Sequence, residues 1–331
     1  MERKIKTVFF VCPICGGAKF HKVYGVSIFT VALCRSCGLV CLNPRMDERE
    51  YMEKLYKNYR KDLFGGYLAH DVDSKEFYDK PVESQGAKKV FSDLKGYLPR
   101  ETAILEVGCG VGEALILFKQ DGFRNLMGID PGLKEEHRKS LEELYNIECF
   151  NKSLSEFVQE IGEKKKFDCV ILDQVVEHFI EPDKDFKILY SLMADGGTLY
   201  ITTPDFYKFD RPFSQFAIPH TFYFSQRTLE TLLKKCGFRV ERRFDTFLPT
   251  TQALLARKEE TMEAVEYDRG EYDRVLTYLK KNKFLFILFK SKRFMEEVYI
   301  KVFGENAYLR ARVFLKNAAV AMIKAYRRRR K

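Results

Sequence analysis

The chain has 331 residues, 46% hydrophobic and 31% charged, a globular composition with room for one large domain and one or two small ones. No apolar run approaches the ~20 residues of a membrane span; the longest, 284–289 and 318–323, cover six positions each. The net charge of +10 is uneven, with fifteen Lys and Arg against three acids in 281–331 and a sum of −2 over 1–280, so a near-neutral body carries a basic tail.

The opening residues are basic and then apolar. They run into Cys12 without the length or cleavage site of a signal peptide, which predicts a cytoplasmic chain. Four of the nine cysteines form two pairs, Cys12-Pro-Ile-Cys15 and Cys34-Arg-Ser-Cys37, each followed by a glycine. Two thiolates separated by two residues turn their sulfurs to one point, and the spacing predicts a zinc ribbon. Disulfides are the alternative, disfavoured in a reducing compartment. Four thiolates leave no coordination position for a catalytic water, so the expected metal is structural. Residues 22–33 supply β-rich segments for the ribbon, and Cys41 is a spare, buried cysteine.

Residues 47–58 read as a helix, with Tyr51, Leu55 and Tyr56 at helical spacing. Gly65 to Ser84 reads as a loop or lid, and a second helix spans 84–95. The rest of the chain is organised around Ile104-Leu-Glu-Val-Gly-Cys-Gly-Val-Gly112, an apolar run that stops at a glycine-rich turn and passes into a helical pattern. Glycines at 108, 110 and 112 let the backbone approach a ligand, and the following helix offers free N–H groups and a positive dipole end. Strands and helices then alternate: strand 103–108, helix 112–121, strand 125–130, helix 132–145, strand 147–150, helix 153–161, strand 168–173, helix 183–193 and strand 197–202. Helix 228–235 and strands 238–245 and 250–257 follow. This order predicts a doubly wound, mostly parallel sheet with ligands at the carboxyl ends of its strands. Asp130 ends the second strand, where an acid can accept hydrogen bonds from a ribose.

The run from Glu106 to Gly112, Asp130, and Phe167-Asp-Cys-Val-Ile-Leu-Asp-Gln-Val-Val-Glu-His178 together resemble the class I S-adenosylmethionine-dependent methyltransferases. A Rossmann-type fold binding NAD is the alternative, but the turn lacks the third spacing of G-x-G-x-x-G. The resemblance implies an α/β fold with a Rossmann-like seven-stranded sheet. It also implies that Gly108, Cys109, Gly110 and Gly112 lie against the methionine part of the donor, with Glu106 near its ammonium. Asp130 would hold the ribose, Asn151 and Ser153 the adenine amino group, and Asp173 and Gln174 the space beneath the sulfonium. His178 takes a structural or acceptor-side role. His220, in a long aromatic loop after the fifth strand, is the candidate general base. Tyr67, His70 and Tyr78 are further candidates for the acceptor pocket, with packing as their alternative role.

The expected layout is a zinc ribbon (1–45), a helical linker or lid (46–100), the methyltransferase core (101–258) and a basic helical extension (259–331). A ribbon ahead of such a core resembles bacterial enzymes that methylate sugars and cell-envelope glycans. The expected function is therefore methyl transfer from S-adenosylmethionine to a sugar, nucleotide-sugar or lipid-linked glycan, with the tail offered to the inner face of a membrane. Two readings stand beside it. One is an RNA methyltransferase, which the near-neutral body disfavours; the other is a binding protein that keeps the fold without turnover. The tail fits an anionic membrane, a phosphate backbone or a solubilising face.

Overall fold

A computed structural model describes residues 6–26, 29–52, 73–161, 165–209, 212–216, 219–260 and 266–282. Contacts divide the chain into two units, Met1–Leu276 and Thr277–Lys331. The first holds every element below. Of the second, residues 277–282 are described and helical.

The front of the chain is antiparallel. Strand β1 (Thr7–Val8) is followed by β2 (Phe20–Val26), β3 (Phe29–Cys34), β4 (Val40–Leu42) and β5 (Arg45–Met46), with β1 pairing β5. Helix α1 (Glu48–Tyr51) starts where the Asp47 carboxylate accepts from the Glu50 N–H. Helix α2 (Ser74–Tyr78) lies inside the stretch that reads as a loop, because Asp73 caps it by accepting from the Glu76 N–H. Helix α3 (Gln85–Leu94) is capped by Ser84.

The core then follows in the expected order: β6 (Ile104–Val107), α4 (Glu113–Gln120), β7 (Leu126–Ile129), α5 (Glu135–Tyr145), β8 (Glu148–Phe150), α6 (Leu154–Ile161), β9 (Phe167–Asp173), α7 (Pro182–Leu192) and β10 (Met193–Pro204). Strand β11 (Phe222–Tyr223), α8 (Gln226–Lys235), β12 (Phe238–Phe244) and β13 (Thr251–Lys258) complete it. The sheet order is β12-β13-β10-β9-β6-β7-β8. Strands β6 to β10 are parallel, and β13 inserts antiparallel between β10 and β12. This is the class I methyltransferase topology. β6 is buried at all four positions, as a central strand covered on both faces must be. Chain order reverses between β6 and β9, so the crevice lies beyond their carboxyl ends.

The front strands β2 to β4 form a sheet apart from the seven-stranded one, and the later chain completes it. Its strands run β11-β4-β3-β2, so a strand from the long aromatic loop closes it, with Phe222 paired to Cys41 and Tyr223 to Val40. Cys12, Cys34, Leu39 and Cys41 share one buried cluster with Phe222, Phe224 and Leu229 of the core. Tyr67, His70 and most of the basic tail lie outside the described residues.

Candidate functional site: a glycine turn, buried acids and a cysteine cluster

The turn after β6 is built from the backbone outward. The N–H groups of Gly108 and Cys109 both donate to the Ile129 carbonyl, at 2.7 and 3.1 Å, which ties the turn to β7. Asp130 is buried, and its two oxygens accept from the Gly110 N–H at 3.1 Å and the Gly132 N–H at 2.6 Å. It therefore shapes the glycine turn directly. Gly108 has φ +74°, and a Cβ there would stand 2.5 Å from Cγ2 of Val175, so both conformation and space require glycine. Tyr78 is buried beneath the turn and donates to the Val111 carbonyl at 3.0 Å. Of its two expected roles, packing is the one these contacts describe.

Glu106, on β6 under the turn, is 5% exposed, and its Oε2 has no hydrogen-bond partner among the described residues. Burial, with Asp173 adding repulsion, pushes its carboxyl well above the usual range. A buried acid with one unpartnered oxygen beneath the glycine turn fits a ligand that carries a cation. The amino-acid end of S-adenosylmethionine is such a group.

Asp173 and Gln174 end β9 as expected. Asp173 accepts from the Thr202 hydroxyl, and its carboxyl is raised by burial. Gln174 has φ +56°, unusual for a residue with a side chain, and is held there by its N–H to the Thr202 carbonyl at 3.0 Å and its Nε2 to Thr202 Oγ1 at 3.0 Å. Both border a small, mainly apolar cavity of about 90 Å³ that also touches Gly86 and Leu248. After β8, Ser153 and Glu156 cap α6 reciprocally, with Ser153 N–H to Glu156 Oε2 at 2.8 Å and the Glu156 N–H to Ser153 Oγ at 3.3 Å. Asn151 donates its amide to the Leu133 carbonyl at 2.5 Å.

A larger cavity of about 230 Å³ runs from Gly108, Ile129 and Ser153 past Val175 to His178, and its far wall carries Glu48, Glu181 and Asp185. Burial, with Glu48 nearby, pushes the Asp185 carboxyl up to about 7. His178 borders this cavity, whereas His220 is not part of its lining. His220 packs edge-on to His178 with ring centroids 5.0 Å apart, and burial, with His178 next, pushes it down to about 3. Sequence reasoning missed the supports of this wall. Tyr51 donates to the Pro219 carbonyl at 2.6 Å and lies 3.2 Å from His178 Nδ1. Glu177 is buried and accepts from Thr203 Oγ1 at 2.9 Å. The helical spacing of Tyr51 was visible, but not that it faces the site.

The four front cysteines do meet. Cys12 Sγ lies 3.4 Å from Cys37 Sγ and Cys15 Sγ 3.5 Å from Cys34 Sγ, and all four sulfurs fall within 4.8 Å of one another. A tetrahedral zinc with bonds of about 2.3 Å sets its sulfurs about 3.8 Å apart. Each pair is folded by an N–H to C=O bond, Gly16 to Cys12 at 2.8 Å and Gly38 to Cys34 at 3.1 Å. The group could hold zinc. Among the described residues, no helix is long and apolar enough to cross a membrane.

The chain is similar to known proteins over part of its length. The chain is 28% identical over 212 residues to a tRNA U34 carboxymethyltransferase of Pectobacterium carotovorum subsp. carotovorum (strain PC1), covering 62% of this chain and 63% of that one. It is 32% identical over 156 residues to the mitochondrial ubiquinone biosynthesis O-methyltransferase of Homo sapiens, covering 42% of each. The chain thus spans less than two thirds of the length of these curated relatives. Among solved structures it is similar to the Burkholderia thailandensis 1,6-didemethyltoxoflavin-N1-methyltransferase, at 14% identity and a TM-score of 0.49, covering 73% of this chain and 100% of that one. Residues 78–242, just under half of the chain, match the family model described as a methyltransferase domain, and this span holds the glycine turn, Asp130, Asp173, His178 and His220.

Proposed function

We propose that the protein transfers a methyl group from S-adenosylmethionine to a small, hydroxyl-rich acceptor, a sugar, nucleotide-sugar or lipid-linked glycan. The observation that carries the donor half is Glu106, a buried carboxyl with an unpartnered oxygen directly under the glycine turn. When bound, the donor supplies an activated methyl on a sulfonium that is its own leaving group. The protein binds, aligns and accepts a proton. Gly108, Cys109, Gly110 and Gly112 form the cradle, Asp130 fixes its shape and stands at the ribose position, and Asn151 and Ser153 flank the adenine side.

The acceptor half rests on the cavity wall. Glu48, Glu181 and Asp185 are carboxyl groups that accept from vicinal hydroxyls, as a polyol requires. The same lining holds Lys152 and Lys184, cations that suit the phosphates of a nucleotide-sugar or lipid-linked glycan. RNA is the second reading, because a relative at 28% identity bears the name of a tRNA-modifying enzyme. The Cys12, Cys15, Cys34 and Cys37 group is proposed to hold one structural zinc.

The test incubates the purified chain with methyl-labelled donor and an extract of cells lacking the gene, then partitions the label. Label in small polar or solvent-extractable, nuclease-resistant material supports the glycan reading. Nuclease-sensitive label replaces it with RNA, and no incorporation with any fraction argues for a binding protein.

A further inference from the structure

We infer that His178, not His220, takes the acceptor's proton, and that Tyr51 is the positioning residue that holds it ready. The inference rests on the methyltransferase reading above and concerns the same cavity. Three observations carry it. First, His178 borders the cavity that begins at Gly108, and His220 stands behind it. Second, His178 Nδ1 lies 3.0 Å from the Pro219 carbonyl, an oxygen that can only accept, so Nδ1 carries the hydrogen and the lone pair is on Nε2. Third, Tyr51 is 3% exposed, and its hydroxyl donates to the same Pro219 carbonyl while its oxygen faces Nδ1 at 3.2 Å. The Tyr51 oxygen thus gives the Nδ1 hydrogen a second acceptor, and its own hydrogen anchors the first. His220 has the opposite character, since burial pushes it down to about 3 and makes it a feeble base.

The two supports of His178 come from elements far apart in the chain. Tyr51 ends α1, just after the cysteine ribbon. Pro219 enters the strand that closes the ribbon sheet, where the Leu42 N–H donates to the Thr221 carbonyl at 2.9 Å and the Thr221 N–H to the Glu177 carbonyl at 2.8 Å. The ribbon therefore reaches the base through two hydrogen-bonded paths.

In the step itself, the acceptor O–H bond breaks and its proton passes to the Nε2 lone pair. The electron pair left on oxygen forms the bond to the methyl carbon as that carbon's bond to sulfur breaks, with its electrons remaining on sulfur. The titratable groups nearest His178 are Tyr51 from α1, His220 from the loop and Glu177 beside it, and the cavity it borders is also lined by Glu48, Lys152, Glu181, Lys184 and Asp185.

The test is 15N NMR of the histidine rings of the full chain between pH 6 and 8, with the His178 signal assigned through His178→Gln. Wild type is expected to show His178 with its hydrogen on Nδ1. Tyr51→Phe, which keeps the ring, is expected to raise the share of the Nε2–H form about fivefold, the effect of losing one hydrogen bond of ~1 kcal/mol. Circular dichroism of Tyr51→Phe serves as the check on folding. If that variant fails to fold, the wild-type tautomer still decides. A wild-type proton on Nε2, or unchanged His178 signals in a folded Tyr51→Phe, overturns the inference. Calorimetry with S-adenosylhomocysteine on the wild type separates the two readings: no binding sinks the methyltransferase reading, whereas binding with the wrong tautomer sinks only this one.

Discussion

The glycine turn and the histidine wall face the same crevice but are made in different ways. The turn is a local object. Residues 104–112 fold against the next strand, and its acids stand on strand ends that the sheet order brings side by side. The wall is assembled from distant pieces, since Tyr51 and Pro219 meet across 168 positions and Phe222 pairs with Cys41. The turn can therefore be held by the sheet alone. The wall depends also on the front strands, since β4 pairs with β11 beside Pro219.

The largest effect expected from breaking that contrast is at the cysteines. Cys34→Ser should abolish zinc binding and unfold the ribbon, because a structural site of this kind contributes on the order of 10 kcal/mol to folding. Metal analysis should fall from one zinc per chain to background. Hydrogen exchange should rise over 219–224 while 104–107 stays protected; equal loosening of both would erase the distinction.

Next comes Gly108→Ala, which strikes the turn alone. Its clash with Val175 and its φ of +74° should weaken S-adenosylhomocysteine binding by on the order of tenfold to a hundredfold in calorimetry. Adding Val175→Ala should recover only part of the loss, because the backbone strain remains.

A third prediction concerns pH. Burial pushes Glu177 up to about 8, so the folded chain keeps a proton that the unfolded chain releases near 4.5. That contribution is complete below about 4.5 and is lost as pH rises to about 8, with a slope of at most ~1.4 kcal/mol per pH unit. Glu177→Gln should flatten the fall of thermal stability between pH 5 and 8, and an unchanged pH profile would contradict the assignment.

The smallest effect is expected at Tyr78→Phe. Loss of its hydrogen bond to the Val111 carbonyl should cost ~1 kcal/mol in urea unfolding and weaken S-adenosylhomocysteine only slightly.

What the sequence made legible follows the same division. The alternation from 104 to 258, the glycine turn, and Asp130 and Asp173 at strand ends could all be read, because each depends on neighbours in the chain. The cysteine spacing was legible for the same reason. Hidden were the short helix at 74–78, masked by a loop-like composition, and the pairing of Phe222–Tyr223 with Val40–Cys41, for which no local pattern exists. Between the two histidines, the sequence favoured His220 as the base, on the strength of its long aromatic loop. Both are histidines near strand ends, and only the Pro219 carbonyl and the cavity wall distinguish them.

The most direct test of the central claim is calorimetric titration of S-adenosylhomocysteine into the wild type and into Glu106→Gln. The account predicts one site per chain in the wild type and markedly weaker binding in Glu106→Gln, since the ligand's ammonium loses its buried carboxylate. Failure of the wild type to bind, or equal affinity in the two proteins, would contradict it.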